Sequence, residues 1–197
     1  PGERVAIVLP NGPEMATAFL AVAAACVAAP LNPNYKQDEF AFYMEDLSTK
    51  LLITDDPSNP AAAAANKLGI PVTFISVDPD APAGVFSLGI SCATPLDLAE
   101  MKADHEALVL HTSGTTSRPK IVPLSQQNVC ASAYNIQQSL ALTSDDVCLN
   151  IMPLFHIHGL IAAVLISLQA GACIFCSSGC NAMKIFGWFE EAKPTWY

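Results

Sequence analysis

The sequence predicts an α/β fold, a layered and mostly parallel sheet with helices on both faces. Three observations carry that expectation. Short apolar runs at residues 4–9, 51–54, 72–76, 108–110 and 147–151 read as strands. Segments of helical character separate them, giving a β-α-β alternation of the kind that buries a parallel sheet between helices. At 52% hydrophobic and 14% charged residues, the 197-residue chain is globular and long enough for a sizeable core.

Each element has its own justification. Residues 4–9 form the first strand. Residues 13–29 follow as a helix rich in Ala and Val; from Glu14 this is sixteen residues, too short to span a membrane, and Pro30 stops it. Residues 37–48 read as an amphipathic helix offering Phe40, Phe42, Tyr43 and Leu47 to a core. Strand 51–54 ends in the turn residues Asp-Asp-Pro-Ser-Asn-Pro, helix 61–68 is closed by Gly69, and strand 72–76 completes a first βα half over residues 1–77. Residues 78–103, rich in Pro, Gly and Asp with an apolar run at 85–90, read as a connecting segment. In the second half, residues 104–197, Ser125 caps a helix over 126–140. Strand 147–151, an apolar helix after the histidines at 156 and 158, strand 172–176 and a helix near 183–191 follow.

Charge and cysteine usage exclude some function classes. A formal charge of -9, from nine basic and eighteen acidic residues, repels a nucleic-acid backbone. A phosphate ligand would have to be held locally, by hydroxyls, backbone amides and one or two cations. Seven cysteines, an odd number scattered among apolar residues, suggest reduced thiols in an intracellular protein. Cys173, Cys176 and Cys180 lie partly within the strand-like ACIFC and lack a second ligand cluster, so no metal site is expected there.

Two stretches carry chemistry. The first, LVLHTSGTTSRPKIV over residues 108–122, sends a strand into a loop of small hydroxylated residues. Gly114 lets backbone approach a ligand, while Thr112, Ser113, Thr115, Thr116 and Ser117 offer hydroxyls to phosphate oxygens and Lys120 adds a mobile charge. The stretch has one glycine and no hydroxyl residue after its lysine, so it is not a Walker A loop; a polar turn between two strands is the plain alternative. The second, MPLFHIHGL over 152–160, ends a strand and places His156 and His158 on one strand-like side before an apolar helix. Two histidines without a third ligand make a poor zinc site. A hydrolase built on Ser113 would lack a G-x-S-x-G elbow and an assignable acid partner.

HTSGTTSRPK resembles the signature loop of the adenylate-forming acyl-CoA synthetase superfamily, T-S-G-T-T-G-x-P-K-G, departing from it at Ser117 and Ile121. Ser-Arg-Pro-Lys with His before Thr-Ser is similar to the oxalate-CoA ligase branch. PLFHIHGL resembles the same superfamily's fourth core motif, and the resemblance extends along the chain, most weakly over 77–102. It implies part of the large N-terminal domain of an acyl-adenylate-forming enzyme that uses ATP, Mg2+ and CoA. Residues 112–117 and Lys120 would bind the nucleotide phosphates, and Lys120 and His156 would serve catalysis. His156, His158 and Gly159 would face the acyl substrate, where His158 suits a small dicarboxylate such as oxalate. The adenine-holding motif, the ribose-binding aspartate, the hinge and the C-terminal lid domain with its lysine are absent from these residues, so the chain reads as a piece expected to be inactive alone. Alternatives are a fatty-acid or aromatic-acid ligase of the superfamily, or a non-catalytic scaffold or dimerisation domain. The expected compartment is cytoplasmic or peroxisomal.

Overall fold

A computed structural model of the chain describes residues 2–90, 100–112 and 119–197. Its central strand is β1 (Arg4–Val8), paired in parallel with β2 (Val27–Pro30) on one side and β3 (Leu51–Thr54) on the other. β4 (Val72–Ser76) adds to β3, and β6 (Glu106–His111) adds to β2, again in parallel. Both edges are antiparallel: β5 (Ser87–Leu88) on β4 and β7 (Ile121–Ser125) on β6. The order is β5-β4-β3-β1-β2-β6-β7, and a separate parallel pair joins β8 (Val147–Asn150) to β9 (Cys173–Cys176).

The period of two in β1 divides the core. Val5 and Ile7 pack with Met15 and Phe19 of α1 (Pro13–Ala23), with Val129 and Ala133 of α4 (Gln126–Leu140), and with Leu160 and Val164. Ala6 and Val8 face the other way, onto Phe40 and Met44 of α2 (Gln37–Asp46) and the alanines of α3 (Pro60–Lys67). Helices therefore cover both faces, as the alternation predicts. α3 ends in a Schellman turn: Gly69, at φ +70°, and Ile70 donate to the Asn66 and Ala65 carbonyls. Among the described residues no helix is long and apolar enough to cross a membrane.

Several expectations need correction. The helix expected over 13–29 stops at Ala23, and residues 27–30 are instead the fully buried strand β2, whose flanks Val27 and Leu31 donate to Glu3 and Ile7 of the β1 side. An apolar run buried on both faces has no period to separate strand from helix. In α2, Met44 takes the buried position expected of Phe42, which is 37% exposed. That helix also ends early, with Ser48 at φ +52°. β7 was not expected. It holds Pro123, tolerated because an edge strand can leave a missing N–H on its open side. The apolar run at 85–90 contributes only the two residues of β5.

The small sheet places two thiols among apolar neighbours. Burial pushes Cys148 up to about 12 and Cys176 up to about 11, so both stay protonated at neutral pH, and all six described cysteines are free. Asp146, before β8, accepts from the Thr143 amide at 2.8 Å and the Thr195 hydroxyl at 2.7 Å. These bonds, the Thr143 amide first, hold its carboxyl below the usual carboxylate range. A lowered folded pKa gives stability that is complete above about pH 4 and lost as acid titrates the folded carboxylate. Asp146→Asn is therefore expected to lower the melting temperature at neutral pH, with the gap to wild type closing in acid, as thermal denaturation across pH would show.

Candidate functional site

The loop stretch is a hairpin. β6 and β7 run antiparallel with His111 opposite Ile121, and beyond that pair the neck is closed by two bonds. The Thr112 amide donates to the Lys120 carbonyl at 2.9 Å, and the Lys120 amide donates to Thr112 Oγ1 at 3.1 Å. Because Thr112 Oγ1 accepts in that contact, its own proton stays available to a ligand. Thr112 and Lys120 are both exposed at the carboxyl end of β6, the end of a parallel strand at which open α/β sheets take ligands. Ser113, Gly114, Thr115, Thr116 and Ser117 lie outside the described residues.

The histidine motif is built differently from the expectation. After β8 the chain turns at 153–156, where the His156 amide donates to the Pro153 carbonyl at 3.2 Å. It then winds as a π-helix over His158–Leu165 that continues into α5 (Ile166–Gln169). His156 and His158 therefore do not share a strand side. His156 lies in the turn and His158 opens the π-helix, and the two border different cavities. His156 borders a cavity of about 450 Å³ with Thr112, Pro119, His111, Tyr35 and Tyr43. His158 borders a separate cavity of about 440 Å³ with Asp146, Thr195 and Trp196. π-windings recur at functional sites, and here the winding starts beside the histidine that faces the hairpin. Gly159 is buried for a packing reason: a Cβ there would sit 2.5 Å from the Pro153 carbonyl oxygen.

Asn11, just after β1, holds this turn against the end of β1. Its Oδ1 accepts from the Leu154 amide at 2.7 Å, while its Nδ2 donates to the Met152 carbonyl at 3.0 Å and the Ser177 carbonyl at 3.4 Å. One amide thus ties the end of β1 to the segments following β8 and β9. The sequence reading missed Asn11, whose Asn-Gly context signals only a turn. It also missed Tyr35, Tyr43 and Asp46, which reach the hairpin from α2 and the loop before it. Burial, and then the Tyr43 hydroxyl, push the Tyr35 phenol up, so it remains a neutral hydroxyl on the cavity wall. Among the described residues no group of three His, Cys, Asp or Glu is placed to hold a metal ion.

The arrangement brings the Thr112 hydroxyl, the His156 side of the turn and the Tyr35 and Tyr43 rings around one cavity. Gly159→Ala is expected to destabilise the intact protein by about 1–3 kcal/mol, because the new methyl meets backbone and not a flexible side-chain end. Gly187→Ala, at a position with nothing within 4 Å, is expected to be neutral or mildly stabilising. Denaturant titrations of the two variants check both outcomes.

Residues 1–197 match the AMP-binding enzyme family. The oxalate–CoA ligase of Arabidopsis thaliana is 42% identical over 204 residues, covering 100% of this chain and 40% of that protein. The oxalate–CoA ligase of Saccharomyces cerevisiae is 32% identical over 224 residues, covering 99% of this chain and 40% of that protein. Among solved structures, ATP-bound MatB from Rhodopseudomonas palustris superposes with a TM-score of 0.79 at 30% identity, covering 97% of this chain and 38% of that one. O-succinylbenzoate coenzyme A synthetase from Bacillus subtilis, in complex with AMP, gives 0.78 at 26% identity, covering 98% and 48%. The chain spans about two-fifths of the length of these curated relatives. With a layered α/β sheet, a cavity shared by Thr112 and His156, and a match along its full length, the chain belongs to the AMP-binding enzyme family.

Proposed function

We propose that this chain is the phosphate-binding part of an AMP-forming carboxylate–CoA ligase, with a small dicarboxylate of the oxalate type as its acid. The observation that carries the reading is the cavity lined by Thr112 and Pro119 of the hairpin on one side and by His156 on another, with the Lys120 backbone bonded to Thr112 at its edge. In the reaction, a carboxylate oxygen of the acid attacks the α-phosphorus of ATP and pyrophosphate leaves. The sulfur of CoA then attacks the acyl carbon, forming the thioester and releasing AMP while the thiol proton passes to solvent or a base.

The chain's own groups have definable parts in the first step. Lys120 and the hydroxyls of residues 112–117 neutralise the negative charge that grows on the departing pyrophosphate. Gly114 allows the backbone to approach the phosphates. His156 orients the attacking carboxylate, a contribution of geometry and not of proton transfer. Mg2+, expected from the family, would add charge on the phosphates beside the cation, hydroxyls and amides of this chain. Similarity to two oxalate–CoA ligases supports the small acid. His158 borders the other cavity, and the oxalate preference does not rest on it.

ATP–pyrophosphate exchange by the full-length protein, with oxalate, acetate, a medium-chain fatty acid and a cinnamic acid compared, tests the reading. Exchange driven by oxalate supports it; exchange driven by a fatty or aromatic acid keeps the ligase chemistry and removes the oxalate assignment. No exchange with any acid would favour a non-catalytic role. Lys120→Ala is expected to slow exchange by about 10²-fold with little change in the KM for the acid, the pattern for loss of a group that acts mainly on the transition state. Unchanged exchange in that variant would remove Lys120 from the mechanism.

A further inference from the structure

We infer that His111, held by Asp46, is the positioning residue that sets the phosphate-binding hairpin in place. The inference rests on the phosphate-binding reading of that hairpin. His111 is the last residue of β6, directly before Thr112, and its Nε2 lies 2.9 Å from Asp46 Oδ2. The imidazole side chain is 8% exposed and the Asp46 side chain 39%. A ring nitrogen this buried needs a hydrogen-bond partner, and the choice of a carboxylate on a neighbouring helix calls for a further reason.

Three features supply one. Asp46 is the last residue of α2, where a carboxylate opposes the helix dipole, and the last turn has no basic residue to offset it. A local rule broken at one position and answered by one contact marks a functional constraint. Second, β6 is weakly registered in the sheet. Ala28 and Leu108 are its one register pair with β2, and a bulge interrupts its pairing with β7 between Glu106 and Leu108. Two side-chain contacts hold the ends of this strand, the Arg4–Glu106 ion pair at its start and the His111–Asp46 hydrogen bond at its end. Side-chain clamps thus fix what the ladder leaves loose. Third, the His111 ring meets Tyr43 edge-on at 4.7 Å, Tyr43 stacks on Tyr35 at 4.8 Å, and Tyr35 meets the fully buried Phe40 at 5.8 Å. This contact chain runs from the core to the neck formed by Thr112 and Lys120.

The test uses the full-length protein with His111→Phe, Asp46→Ala, Asp46→Asn and the His111→Phe/Asp46→Ala double variant. Exchange rates are measured against ATP and against acid, with a thermal melt of each variant. His111→Phe and Asp46→Ala are expected to raise the KM for ATP about tenfold and to lower kcat, with the KM for the acid nearly unchanged, since a small displacement of a binding group is costly. Asp46→Asn keeps an oxygen that accepts from His111 and should recover most of the loss, and the double variant should be no worse than His111→Phe, as members of one unit behave. Folded variants with an unchanged KM for ATP, or with equal rises for ATP and acid, would overturn the inference, and so would a set in which every variant unfolds. If the wild type shows no exchange, the ligase reading fails and equilibrium binding of ATP carries the test. Tenfold weaker binding by His111→Phe and Asp46→Ala would then support the positioning role; equal binding, or none by the wild type, would overturn it.

Discussion

The amide of Asn11 is the contact on which the arrangement depends. It stands at the end of β1, the strand buried between both halves of the core, and reaches the chain after β8 and after β9. Among the described residues the large sheet and the two-stranded sheet share no ladder bond, so beyond their common apolar core a side chain that accepts from one backbone group and donates to two others links them. Backbone groups at such a junction lack partners of their own, and leaving them unpaired away from water is costly. The amide satisfies them and fixes, at the same time, where the histidine turn begins.

From that junction the chemistry follows by layers. The turn at 153–156 is tightened by the Pro153 carbonyl, and Gly159 lets the π-helix start against it. Opposite, the hairpin neck is closed by Thr112 and Lys120 and steadied from α2. The net charge of -9 makes this local donor set more significant, because a polyanionic ligand approaches against the field of the whole chain. On the proposed reading, a triphosphate would be held by a specific local cradle and not by a general positive potential.

Much of this was legible in the residues. Strands 51–54 and 72–76 stood out because turn residues bracket short apolar runs, and Ser125 announced α4 by capping chemistry that the structure repeats at the Asn128 amide. β2 was hidden in AACVAAP, where alanine suits a helix and only the neighbouring strands decide otherwise. The motif singled out both histidines, but a strand period does not hold where the chain passes from a turn at His156 into the π-helix at His158. Asn11 and Asp46 could not be read from the sequence in this role, because their partners lie far along the chain and no spacing rule connects a turn amide to a residue 143 positions away. Local chemistry shows in sequence; convergence of distant segments does not.

β7 has one neighbour. An interior strand passes any distortion to both sides, whereas β7 touches only β6 within the sheet, and Pro123 keeps its outer side from adding another strand. Changes in length or composition between the two hairpin strands are thereby isolated from the five strands beyond β6. Such a placement lets the hairpin vary in length and composition while the sheet that carries it stays constant.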